Sequence, residues 1–294
     1  MAASDPSDPN ESRPTDSGND SSRRFGNSAG RNRSENLDHE GVLKPPRDAM
    51  DDLDVERRRL IDERQAFEAF RSRVERITLD GEPTPTAPPT SLHRQAQVSG
   101  SGLVAVRDAY HETVMAVPHY EAEYNDTYPQ SLVAEFGPEV AVALTQGSAF
   151  TERYKRSLRS KTMESIDERE RLIEAVDMER ESLERTTGRL ASITEELRTL
   201  AGSPLSALDY GALDAYRVRT ETLESNCDAV ARRRQRELAA TNRSLQLDDT
   251  LPDVATYLYQ NRSVTYPALA TVGGLGDRLC TLRDRIEREM TTRR

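Results

Sequence analysis

Apolar residues along this chain recur at seven-residue intervals over long stretches, and between those stretches they nearly vanish. Within 51–79, Leu53, Leu60, Phe67 and Val74 stand seven apart, with Phe70 and Ile77 at the three/four offset. That spacing lays one apolar stripe along a helix and leaves the other faces to Arg and Glu. Asp51, Asp52 and Asp54 put negative charge on its expected first turn, where the helix dipole favours it. Val176, Leu183, Leu190 and Leu197 repeat the pattern within 148–200, joined by Ile193 and Leu200, until Gly202, Ser203 and Pro204 break it. Leu213, Tyr216, Thr220, Leu223, Cys227 and Val230 carry a third seam through 206–246, which passes Arg234 and resumes at Leu238, Thr241 and Leu245. Two long helices across a short break predict an antiparallel, coiled-coil-like hairpin over 148–246. Fifty helical residues span about 75 Å at 1.5 Å per residue, so the expected bundle is elongated.

Shorter patterns fill the rest. Leu103, Val106, Tyr110, Val114 and Val117 line one face of a helix that Pro118 should end. Gly137 and Pro138 divide 131–146 into two helical pieces, with Pro138 suited to a helix start. A short helix is expected within 251–260. A last one enters through Pro267 and carries Leu269, Val272, Leu275, Leu279, Leu282 and Ile286 on one side. Neither strand alternation nor a solenoid period is evident, so the fold class read from the pattern is all-α.

Two segments lie outside these patterns. Residues 1–50 are mostly Ser, Asp, Asn, Gly, Pro and Arg, too poor in apolar groups to offset backbone entropy, and are expected to form a disordered arm. Residues 80–101, rich in Pro, Ser and Gly, read as a linker between the 51–79 helix and a helical domain over 102–294. A helix so tethered can pack on the body, on a second copy or on a partner. Leu53, Leu60, Phe67, Phe70 and Val74 are therefore the candidate interaction residues, and self-association through 51–79 is an expected use of them.

Composition sharpens this picture. Hydrophobic residues make up 35% of 294, Trp is absent and mean hydropathy is −0.77, a balance suited to thin bundles that bury narrow stripes. The net charge of −10 disfavours generic attraction to nucleic acid. Only three of the 41 basic residues are lysines (Lys44, Lys155, Lys161), and the abundant arginines can fork onto carboxylates. Cys227, inside a seam, and Cys280, beside Leu279, are expected as buried thiols rather than a disulfide framework. No apolar run approaches the roughly 18–20 residues of a membrane span, and the polar, acidic start is unlike a signal peptide, so the expected setting is cytoplasmic.

The stretches AFEAFRSRV (66–74), LVAVRDAYHETVMAVPHYEAEYNDTYPQSLVAEFGPEVAVALTQG (103–147) and ATYLYQNRSVTYPALA (255–270) resemble a haloarchaeal helical family of unknown function. The likeness covers most of 50–290. It implies a fold type and a source, and no mechanism.

Chemistry-bearing residues are sparse. His111 and His119, near Glu112, Glu121, Glu123 and Asp126, are weak candidates for a metal site. The Pro118 break lies between them, and Met115 stands where an H-E-x-x-H motif needs its second histidine, so packing or surface roles are favoured. Tyr110, Tyr120, Tyr124 and Tyr128 gather in the same region, making 110–138 the place to look for a ligand site. Arg232, Arg233, Arg234 and Arg236 form a basic run for which ion pairing across the hairpin is preferred to nucleic-acid contact. No catalytic or cofactor motif accompanies the seams. The function expected is that of a non-enzymatic helical interaction or scaffold protein with a protein partner, ahead of a ligand- or ion-responsive helical regulator and, last, an enzyme.

Overall fold

The computed structural model describes residues 39–80, 100–244 and 254–293. Its helices are α1 (His39–Arg76), α2 (Ser101–His111), α3 (Tyr120–Glu123), α4 (Tyr128–Gln146), α5 (Glu152–Ala201), α6 (Tyr210–Ser244), α7 (Val254–Leu258) and α8 (Pro267–Thr291). Short 3-10 turns occur at Val114–Ala116 and Leu205–Ala207. There is no strand among the described residues, and the all-α class stands.

The first helix begins at His39, twelve residues before the expected start at 51. Residues 39–50 are therefore part of the bundle and not of a disordered arm; residues 1–38 lie outside those described. Local composition misled here because Pro45 and Pro46 sit inside the helix, where proline ordinarily costs a backbone hydrogen bond. Burial offsets that cost. Leu43 and Ala49 have no exposed surface, and Leu43 packs with Leu190 and Leu275 from far along the chain.

Helix α1 runs antiparallel to α5. Arg180 Nε donates to Asp54 at 2.6 Å, Arg57 Nε to Asp177 at 2.7 Å and Arg64 to Glu170 at 3.4 Å, while Arg159 faces Glu75. Residue numbers thus rise on α1 as they fall on α5. The heptad stripe lies inside this seam: Leu53, Leu60, Phe67, Phe70 and Val74 are each at most 3% exposed. These five residues are therefore core, and the surface expected to meet a second copy or partner is already filled by the same chain. The 51–79 helix is not a free module. Most of the expected 80–101 linker, residues 81–99, lies outside the described residues.

Three apolar clusters follow one another along the bundle. Phe67, Phe70 and Val74 meet Tyr110, Leu132, Phe136 and Phe150 in one of them. Phe70 stacks on Phe136 at 6.1 Å and meets Tyr110 edge-on at 5.2 Å. Leu53 and Leu60 join Val176, Leu183 and Tyr259 in the next. The third holds the seam residues of α5, α6 and α8 together with Leu43. Such burial contributes roughly 1.5–3 kcal/mol per large apolar side chain, which makes these seams the main source of stability.

The α5–α6 hairpin is present, with its arms antiparallel through Glu196–Arg219 and Ser182–Glu237 contacts. It is one part of a larger packing, because α1 also covers α5 and α8 lies against α6, where Arg283 pairs with Glu224 at 2.6 Å. Arg234, 2% exposed, reaches back to Glu179 and Ser182, so the preferred reading of its basic run holds at that position. Arg233 bonds Glu237 on its own helix.

Smaller differences concern the 102–147 stretch. Helix α2 stops at His111, seven residues before the expected proline break, and Val117 is only half-buried beyond it. Helix α4 is kinked at Gly137, whose φ of 82° lies in the left-handed region that glycine adopts readily, as the Gly-Pro break suggested. Asp80 fastens the end of this layer. Its carboxylate accepts from the backbone N–H of Phe150 at 2.6 Å and of Gly102 at 3.0 Å, and from Ser101 Oγ at 3.2 Å.

Candidate functional site: a polar cleft centred on Glu63

A cleft of about 430 Å³ opens beside α1. Asp52, Glu56, Arg59 and Glu63 supply one wall, and their three- and four-residue spacing places them on a single helical face. The second wall is His119, Glu123 and Tyr124, from α3 and its flanks. The third is Tyr257 together with the Gln260–Arg262 turn after α7. Asn125, with a φ of 48°, turns the chain away just after Tyr124. Asparagine tolerates that conformation better than most residues.

Glu63 is the hub. Its side chain is 9% exposed, and three side chains from two elements satisfy it. His119 Nε2 lies 2.9 Å from Oε1, and the Tyr124 hydroxyl donates to the same oxygen at 2.8 Å. From α5, Arg169 Nε donates to Oε2 at 3.1 Å. The same guanidinium forks onto Glu135 of α4 at 2.6 and 3.0 Å and lies 4.9 Å above the Phe67 ring. Burial opposes the charge on Arg169, but Glu135 and Glu63 more than compensate and hold its pKa above the ordinary value. Burial, reinforced by the Glu63 charge, pushes the Tyr124 phenol well above its usual range. The phenol therefore remains a donor at neutral pH.

The rim is closed by contacts between walls. Arg59 pairs with Glu123 at 2.6 Å. The Tyr257 hydroxyl donates to Glu56 at 2.7 Å. Arg262 donates to Asp52 at 2.5 Å and to the Asp48 carbonyl. Next to Tyr257, Tyr259 points inward and donates to buried Glu179 at 2.6 Å, the same carboxylate that holds Arg234. A short segment thus reaches the cleft with one tyrosine and the core with another.

Only part of the expected chemistry gathers here. His119 and Tyr124 line the cleft. His111 is exposed and lies against Tyr128, ring centroids 5.2 Å apart, so the two histidines do not join in one site. Among the described residues, no group of three His, Cys, Asp or Glu side chains could hold a metal ion. Tyr110 belongs to the aromatic core and bonds Ser131 at 2.8 Å, while burial pushes the Tyr128 phenol up to about 12. Cys227 is buried as expected, and burial raises its thiol to about 11, with Asp228 and Glu224 adding to the effect. Cys280, expected inside, is exposed because it lies off the stripe formed by Leu275, Leu279, Leu282 and Ile286.

Sequence reasoning missed Glu56, Glu63 and Glu135, Arg169, Tyr257 and Arg262. A signal existed for two of them. Glu56 and Glu63 occupy the three/four-offset seats that Phe70 and Ile77 fill further along α1, so each is a charge in a position otherwise apolar.

Fold and cleft together define an all-α bundle with a polar, multiply hydrogen-bonded recess at the meeting of three chain segments. The chain belongs to the family described as "Domain of unknown function (DUF7260)", whose model matches residues 44–283. No curated protein and no solved structure matches it.

Proposed function

We propose that this protein is a non-enzymatic helical interaction protein whose recognition site is the cleft around Glu63. The observation that carries this reading is the cleft's construction. Three segments far apart in sequence meet there, and the polar groups on its walls are held in place by one another. Such preorganisation suits recognition of a polar group. The carboxylate best placed for proton transfer, Glu63, accepts three hydrogen bonds at once, which favours a positioning role over a catalytic one. The apolar stripe of α1 is consumed internally, so the partner surface proposed here is the cleft and not that stripe. A cytoplasmic setting and a salt-adapted, haloarchaeal source fit the acidic, arginine-rich composition and belong to the same proposal.

A ligand-responsive role is the second reading, and one observation favours it. Tyr257 touches the cleft while Tyr259 touches the buried Glu179–Arg234 pair, so an occupant that displaced Tyr257 would pull on a group anchored between α5 and α6.

Co-purification of the tagged full chain from its host, beside the Glu56→Gln and Arg262→Gln variants, tests the main reading. A stoichiometric partner recovered with the parent and lost with both variants is the expected result. A partner retained by both, or none with the parent, would overturn it.

A further inference from the structure

A second depression, sharing no lining residue with the cleft, lies between the last turns of α1 and the first turns of α5. It has a volume of about 290 Å³ and is lined by Arg71, Glu75, Arg156, Arg159, Ser160 and Met163. Three guanidiniums face one carboxylate here, in a chain whose net charge is −10. Their charges are poorly neutralised. Arg71 reaches the Met163 sulfur, a weak and uncharged acceptor. Arg159 stands 3.4 Å from Glu75 and Arg156 3.5 Å from Glu152, and all four of these side chains are about half exposed or more. Exposed ion pairs of that kind contribute little, so a better acceptor can displace them. The two helices are tied together beside it, because Lys155 Nζ of α5 donates to the carbonyls of Glu75 at 2.9 Å and Ile77 at 2.7 Å at the end of α1.

We propose that this groove binds a small phosphate-bearing anion carrying more than one phosphoryl group. Guanidiniums fork onto phosphoryl oxygens bidentately, and three of them call for an anion with several charges. The groove, at about 290 Å³, is roomier than a single phosphate needs. Ser160 adds a neutral donor on the same wall. None of these residues lines the Glu63 cleft, so the two sites stand or fall separately.

Isothermal titration of the full chain with inorganic pyrophosphate at low ionic strength is the test. Saturable one-to-one binding is expected, with orthophosphate weaker. Arg71→Gln, Arg156→Gln and Arg159→Gln should each weaken binding by about tenfold, and Arg288→Gln on α8 should leave it unchanged. Absence of saturable binding overturns the proposal, as does equal weakening by Arg288→Gln, which would mark diffuse attraction. Co-sedimentation with anionic phospholipid vesicles in the absence of pyrophosphate binding would also overturn it, by assigning the patch to a membrane surface.

Discussion

Charged residues placed in seats that a helical stripe would give to apolar ones organise this protein at the scale of single side chains. Glu63 on α1, Glu179 on α5 and Arg234 on α6 are each under 10% exposed and each in the middle of a seam. Glu179 and Arg234 answer each other directly, with Tyr259 as a third member. Glu63 is answered by Arg169, whose guanidinium also satisfies Glu135. Removing one partner of a buried pair strands the other, which is far more costly than the pair is stabilising. Arg169→Met should therefore lower the unfolding free energy by about 3–5 kcal/mol in denaturant titrations. A loss below about 1 kcal/mol would mean that water relieves both carboxylates and that the hub is weaker than its geometry implies.

At the scale of elements, the joints matter as much as the seams. Asp80 closes the joint between the end of α1, the start of α2 and the approach to α5. Burial works against its charge, yet the N–H groups of Phe150 and Gly102 outweigh burial and hold the carboxyl below its usual pKa. A carboxyl depressed in the folded state contributes stability above its unfolded value of about 3.9, and that contribution fades as pH falls through the folded value. The parent should thus be more stable than Asp80→Asn at neutral pH, and the gap should close below about pH 4. Thermal melts of both proteins across that range check it; a gap independent of pH would assign the effect to packing instead. Gly102 belongs to the same joint, since a Cβ there would come within 2.7 Å of the Phe150 Cβ.

At the scale of the whole molecule, α1 decides the architecture. Its stripe joins two of the three apolar clusters, and Leu43 in its first turns enters the remaining one. Phe70 is fully buried among Phe67, Tyr110 and Phe136. Phe70→Ala should cost about 3–5 kcal/mol of stability while leaving the molar mass in solution unchanged. Light scattering alongside chemical denaturation separates the outcomes. A change in assembly state without loss of stability would return the stripe to an intermolecular role.

The helical periods alone determined the all-α class, the α5–α6 hairpin, the kink at Gly137 and the entry of α8 at Pro267, because side-chain periodicity and backbone-breaking residues act locally. The same local signals marked Cys227 and Arg234 as seam residues. The partner of each seam was decided only by tertiary structure. A stripe that could face a second copy faces α5 instead, and the helix extends back to His39 because Leu43 finds a pocket built by distant residues. The cleft was half legible. His119 and Tyr124 lay in the segment singled out by its histidines, tyrosines and acids, whereas Arg169, Tyr257 and Arg262 are ordinary surface-type residues in their own helices and turns. They acquire a role only where long-range packing brings their segments against Glu63, Glu56 and Asp52, and no local pattern encodes that meeting.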